Sequence, residues 1–192
     1  AKKLGIKYFD TAPLYSRGYS ELLIGEAFRN ENDVNITTKI GVYSNPKIML
    51  PASIALYLNK LYRKFSLPRE TFSANQVNIC EGLDTLPNDH FEKQLLGSIK
   101  KLNKVKIDSV LLHEINPYKI KGEKLNNLLK NIKELNIEKF GYSGIFHKEF
   151  IKQPIPEFIK VMQLEIPSKF NKNSENLLNL IQKNEHIEFR FF

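Results

Sequence analysis

Asp10, Tyr15, Lys39 and His113 are four titratable side chains, each at or just beyond the end of a predicted strand. Together they suit proton delivery to a carbonyl. Reducing an aldehyde or ketone needs a hydride at carbon and a proton at oxygen, where negative charge builds in the transition state. A tyrosine hydroxyl titrates at ~10 when unperturbed, too high for easy transfer at neutral pH, so a neighbouring cation is needed to favour the phenolate. Lys39 fits that need. Asp10 would hold the ammonium in place and keep it charged, and His113 can hydrogen-bond the substrate oxygen and align the carbonyl carbon. Singly, each has a plainer explanation as a loop aromatic, a strand-end surface charge or a turn residue bonding its own backbone. The set, at three consecutive strand ends, carries the functional reading.

The elements that must position these residues alternate between strand-like and helix-like, which predicts parallel βα units. Strands are expected near 5–9, 34–40, 107–113, 138–143, 160–164 and 187–191, and helices near 19–29, 88–104, 121–135 and 173–184, with short connecting pieces at 146–152 and 155–159. In a parallel barrel the C-terminal strand ends converge on one face, so residues distant in sequence can meet there. The expected class is therefore α/β, a TIM-type (β/α)8 barrel represented incompletely by about six parallel strands. Residues 1–192 read as a single, partial domain, because 192 residues fall short of the ~250 that eight units take. Ala1-Lys2-Lys3-Leu4 reads as the last turn of a helix, and Ile187 to Phe192 as a strand without its following loop. Between 42 and 87, Pro51 can open a helix running to Phe65 whose Leu56, Tyr57, Leu61 and Phe65 either cover the cleft or, the favoured reading, pack on the barrel exterior, with Thr71 to Cys80 returning extended.

The formal charge is +8, but it comes from 24 Lys and only 5 Arg. Scattered lysines give solvated helix surfaces, whereas nucleic-acid recognition favours Arg forks, so no nucleic-acid partner is expected. One cysteine, Cys80, excludes an internal disulfide and agrees with a reducing, cytoplasmic setting. No apolar run nears the roughly 18 residues of a membrane span. His90, His147 and His186 lack partners at metal-ligand spacing and are expected on the surface, so no metal site is indicated. Gly18, Gly141 and Gly144 do not form a GxGxxG phosphate loop.

The ordered stretches Phe9-Asp10-Thr11-Ala12 with Tyr15, Gly18-Tyr19-Ser20-Glu21 with Gly25 opening the next helix, and Thr38-Lys39-Ile40-Gly41 run on into Ser98-Ile99-Lys100-Lys101-Leu102 with Asp108. Leu111-Leu112-His113, Gly141-Tyr142-Ser143 and Gln163 complete the series. This set resembles the aldo-keto reductase family along the whole chain. The resemblance implies a partial barrel lacking the first and last strands, and Asp10, Tyr15, Lys39 and His113 as the catalytic residues. It also implies NADP(H) as cofactor, with Ser143 and Gln163 in two of the places that hold the nicotinamide carboxamide, and a small carbonyl compound as substrate. Gly144 stands where the family usually has an Asn, and the phosphate-gripping segments after the family's seventh and eighth strands have no counterpart. A rival expectation is a non-catalytic barrel acting in cofactor sensing or protein interaction.

Overall fold

The computed structural model describes residues 4–31, 33–42, 89–103, 105–166 and 172–192. The helix expected from Pro51 to Phe65, the extended stretch to Cys80 and Cys80 itself lie outside them. Six strands form one sheet: β1 (Tyr8–Asp10), β2 (Asn35–Ile40), β3 (Ile107–His113), β4 (Lys139–Gly144), β5 (Val161–Leu164) and β6 (Glu188–Phe191). Every pair is parallel, and the spatial order is the sequence order. A doubly wound sheet would break that order at a switch point; a barrel keeps it.

Side chains show that the sheet curls. Gln163 on β5 reaches Asp10 on β1, and Arg190 on β6 reaches Thr37 on β2. Each pair is four strand spacings apart, about 19 Å in a flat sheet, far beyond side-chain contact. The six strands therefore form a half-barrel, an incomplete (β/α) barrel whose two halves of the interior face one another.

Helices cover the outside: α1 (Tyr19–Phe28), α2 (His90–Leu102), α3 (Gly122–Glu134), the short α4 (Glu149–Lys152) and α5 (Lys172–Lys183). Residues 156–159 form a turn, closed by the Ile159 amide donating to the Pro156 carbonyl at 2.9 Å. On α2, Phe91, Leu95, Ser98 and Leu102 are buried, a single stripe at helical spacing, and on α3 Leu128 and Ile132 are. These meet the outward strand residues Ile36, Ile40, Val110, Leu112, Tyr142, Met162 and Leu164 in one apolar core. Each fully buried side chain of this size contributes on the order of 1.5–3 kcal/mol. Gly25 lies inside α1 and not at its opening, and a Cβ there would come within 2.4 Å of the Lys101 carbonyl oxygen. It lets α1 lie against the end of α2.

The first strand starts later than the periodicity suggests. Gly5 adopts φ +73 and Ile6 is outside the ladder, so pairing begins at Tyr8 and runs through Asp10. Apolar character alone did not mark where the left-handed glycine ends the preceding turn.

Candidate active site

Along β2 the side chains alternate between the two faces of the sheet. Thr38 turns outward and bonds Glu21 on α1 at 2.7 Å, whereas Thr37 and Lys39 turn into the half-barrel. Lys39 is only 1% exposed, yet its ammonium is fully engaged. It donates to both Asp10 oxygens at 2.6 Å, to the Thr11 carbonyl at 3.3 Å and to the Tyr15 hydroxyl oxygen at 3.1 Å. A lone ammonium at this depth would be strongly disfavoured by lost hydration; the carboxylate of Asp10 and two further acceptors offset that cost.

Tyr15 is delivered by the turn after β1. Its amide donates to the Ala12 carbonyl at 3.0 Å, and a single 3-10 turn over Tyr15–Gly18 follows. The ring stands with the Lys39 nitrogen 4.7 Å from its centroid. An ammonium can only donate, so the Tyr15 oxygen is the acceptor in their contact and its own O–H is left to donate elsewhere. Tyr15 is 38% exposed, so that hydrogen has access to the mouth. His113 ends β3, its ring edge-on to Tyr15 with centroids 6.1 Å apart. Burial, aided by the Lys39 charge and opposed by Asp10, pulls the imidazole down to about 4. It is neutral at pH 7, and its buried Nδ1 has no hydrogen-bond partner among the described residues. The structure thus brings together all four of Asp10, Tyr15, Lys39 and His113.

Ser143 on β4 and Gln163 on β5 lie beside this group. The Ser143 hydroxyl donates to the Gln163 oxygen at 3.0 Å, and the Gln163 nitrogen donates to Asp10 at 3.2 Å. A hydroxyl and an amide side by side offer both a donor and an acceptor, which suits a carboxamide. Gly144 follows with φ +155, and a Cβ there would lie 2.6 Å from both the Glu114 carboxylate and the Tyr142 hydroxyl. The room that a side chain at 144 would need is filled by Glu114, whose own backbone is left-handed at φ 58.

Sequence reasoning missed what stands behind Lys39. Glu21 is completely buried, accepts from Thr38 and pairs with Lys101 at 3.3 Å, tying α1 to β2 and α2. The signal was an acid on an otherwise apolar helix face, paired with a hydroxyl adjacent to Lys39 in sequence. Two of the three histidines expected on the surface are half-buried: His90 packs on Phe91, and His147 packs on Tyr142 and Phe150. For His147 the cover comes from the adjoining strand and helix. His186 is exposed. Among the described residues no three His, Cys, Asp or Glu side chains group as metal ligands, and no helix is long and apolar enough to cross a membrane.

Solved structures share the fold along nearly the whole of this chain. A glycerol dehydrogenase from Gluconobacter oxydans aligns with a TM-score of 0.68 at 18% identity, covering 99% of this chain and 50% of that one. An aldo-keto reductase from Bacillus halodurans in its holo form gives 0.67 at 20% identity, covering 99% and 53%. An aldo/keto reductase from Klebsiella pneumoniae in complex with NADP and acetate gives 0.61 at 15% identity, covering 97% and 52%. The chain thus spans about half the length of these structures. No curated protein matches it. At such identities the likeness speaks for the barrel alone, but a family model matches residues 1–189, nearly end to end. By that match the chain belongs to the aldo/keto reductase family.

Proposed function

We propose that this chain carries the catalytic face of a cytoplasmic oxidoreductase that reduces an aldehyde or ketone to an alcohol with NADPH. The observation that carries the reading is the buried Lys39 ammonium, held by Asp10 and donating to the Tyr15 oxygen at 3.1 Å. Tyr15 then acts as proton donor. Its free O–H points the transferable hydrogen away from Lys39, and the ammonium stabilises the phenolate that remains. Asp10 fixes Lys39 and takes no proton. The neutral His113 donates a hydrogen bond to the substrate oxygen and sets the carbonyl carbon in line for attack. Ser143 and Gln163 would hold a nicotinamide carboxamide, and a nicotinamide so held supplies the hydride. The substrate is a small carbonyl compound.

Gly144 favours a second reading, a non-catalytic barrel used for cofactor sensing or protein interaction, because Glu114 occupies the space where another cofactor contact would stand. Mixing the protein with NADPH and a panel of aldehydes and ketones separates the two. Carbonyl-dependent loss of nicotinamide absorbance is expected. NADPH binding without turnover of any carbonyl would move the assignment to the second reading.

A further inference from the structure

Gln163 is tied at both ends of its amide. Its nitrogen donates to Asp10 Oδ2 at 3.2 Å and its oxygen accepts from Ser143 at 3.0 Å. Chemistry fixes this orientation. The Asp10 carboxylate, held by an ammonium, has no hydrogen to give, so the amide nitrogen must face it; Ser143 must then donate to the oxygen that is left. Asp10 passes the contact to Lys39, and Lys39 passes it to Tyr15. Side chains from β4, β5, β1, β2 and the turn after β1 therefore form one unbroken hydrogen-bonded chain.

We propose that Gln163 is a positioning residue that sets, through Asp10, how strongly Lys39 engages Tyr15, and so links the carboxamide-holding end of the site to the proton donor. Every hydrogen bond a carboxylate accepts draws charge density from it and weakens its pull on its other partners. With the Gln163 N–H in place, Asp10 shares itself between an amide and Lys39. Remove that N–H and the whole carboxylate falls on the ammonium, whose hydrogens are drawn away from Tyr15. Remove the carboxylate charge instead and the ammonium leans further toward Tyr15. The two changes act on Tyr15 with opposite sign. A carboxamide that claims Gln163 must also take it at the expense of Asp10, so loading of that end is felt at the phenol. This inference rests on the proposed roles of Tyr15, Ser143 and Gln163.

The test uses the full 192-residue chain without nicotinamide, labelled with 13C at tyrosine Cζ and held at one neutral pH. Tyr15→Phe identifies the Tyr15 resonance. Gln163→Met is expected to move it, Asp10→Asn to move it in the opposite direction, and Ser143→Ala to move it the same way as Gln163→Met but less. An unmoved resonance in a Gln163→Met chain with wild-type circular dichroism overturns the proposal, as does a displacement of the same sign as that of Asp10→Asn. Should Gln163→Met fail to fold, Ser143→Ala carries the sign test alone. Turnover at saturating NADPH is expected to fall about three- to tenfold in Gln163→Met, beyond any rise in KM. If the wild-type chain reduces no carbonyl, the proposed function fails while the opposite-signed displacements still establish or exclude the coupling.

Discussion

Both ends of the half-barrel interior contain charged side chains, but they are arranged to opposite purposes. At the N-terminal strand ends, Arg190 and Lys139 face Asp108 and Glu188: Arg190 meets Glu188 at 2.7 Å and Asp108 at 3.4 Å, and Lys139 meets Glu188 at 2.9 Å and Asp108 at 3.7 Å. Arg190 also donates to Thr37 and Ser109. Each cation there is matched by the same two carboxylates. At the C-terminal ends, Lys39 has one carboxylate partner and spends a further hydrogen on the phenol oxygen of Tyr15, with a neutral His113 alongside. A closed ion network fills an interior; an ammonium that donates to a partly exposed acid can do work on a ligand. Charge alone, therefore, does not mark the site. What marks it is a cation whose last donor goes to a group able to lose a proton.

The sharpest way to break that contrast is Tyr15→Phe. On the proposed reading the hydroxyl acts where charge develops in the transition state, so in a completed barrel turnover is expected to fall about 10²–10⁴-fold while NADPH binding stays near wild type. Lys39→Met should follow the same pattern. Steady-state kinetics with a fluorescence titration of NADPH measures both quantities, and unchanged turnover in either variant removes that residue from proton delivery.

Arg190→Met probes the other end. It leaves the Thr37 and Ser109 hydroxyls with each other at 2.7 Å but takes away a cation shared by Asp108 and Glu188. A loss of about 2–3 kcal/mol in unfolding free energy is expected, with turnover retained per folded molecule. Denaturant unfolding and an activity assay at low temperature decide it. A folded variant that loses turnover as Tyr15→Phe does would mean the two ends are not separate.

These two ends were unequally legible in the sequence. Asp10, Lys39 and His113 could be placed because each closes a strand-like run, and parallel strands gather their C-terminal ends on one face. Arg190 could not. It lies inside the last apolar run, Ile187 to Phe192, and nothing local says that β6 curls across to β2; that follows from sheet closure, a property of all six strands together. The same holds for Glu21, whose burial depends on α1 packing against Thr38 and Lys101, and for His147, covered by Tyr142 and Phe150. Strand order followed from alternation of elements, whereas the start of β1 did not, because a left-handed Gly5 set it.

His113 offers a smaller, pH-dependent effect. Its imidazole is held at about 4 in the fold against an ordinary value of 6.5. Between those values the unfolded chain binds the proton and the folded chain does not, so folding becomes less favourable as pH falls. The contribution is fully present above 6.5, is lost progressively toward 4 and then levels off, on the order of 2–3 kcal/mol in all. Denaturant unfolding from pH 7 to 4 should show this slope in the wild type and a shallower one in His113→Asn. Equal slopes would show that the imidazole does not stay neutral in the fold.

The smallest expected effect sharpens the contrast most, because it compares two lysines that each hold a carboxylate inside the same half-barrel. Lys139 pairs with Glu188 at 2.9 Å, a distance close to that of Lys39 and Asp10, but its side chain is 34% exposed where that of Lys39 is 1%. Water already solvates much of the Lys139 ammonium, so removing it strands little charge, and Arg190 remains to satisfy both carboxylates. Lys139→Met is expected to cost under about 1 kcal/mol, to lose even that at molar salt, and to leave turnover unchanged. Lys39→Met, measured beside it, should show less salt dependence, because the Lys39 side chain is buried even though that of Asp10 is 39% exposed. Denaturant midpoints at low and high salt test both. If the two lysines respond alike to salt, depth in the barrel does not separate the structural pair from the functional one.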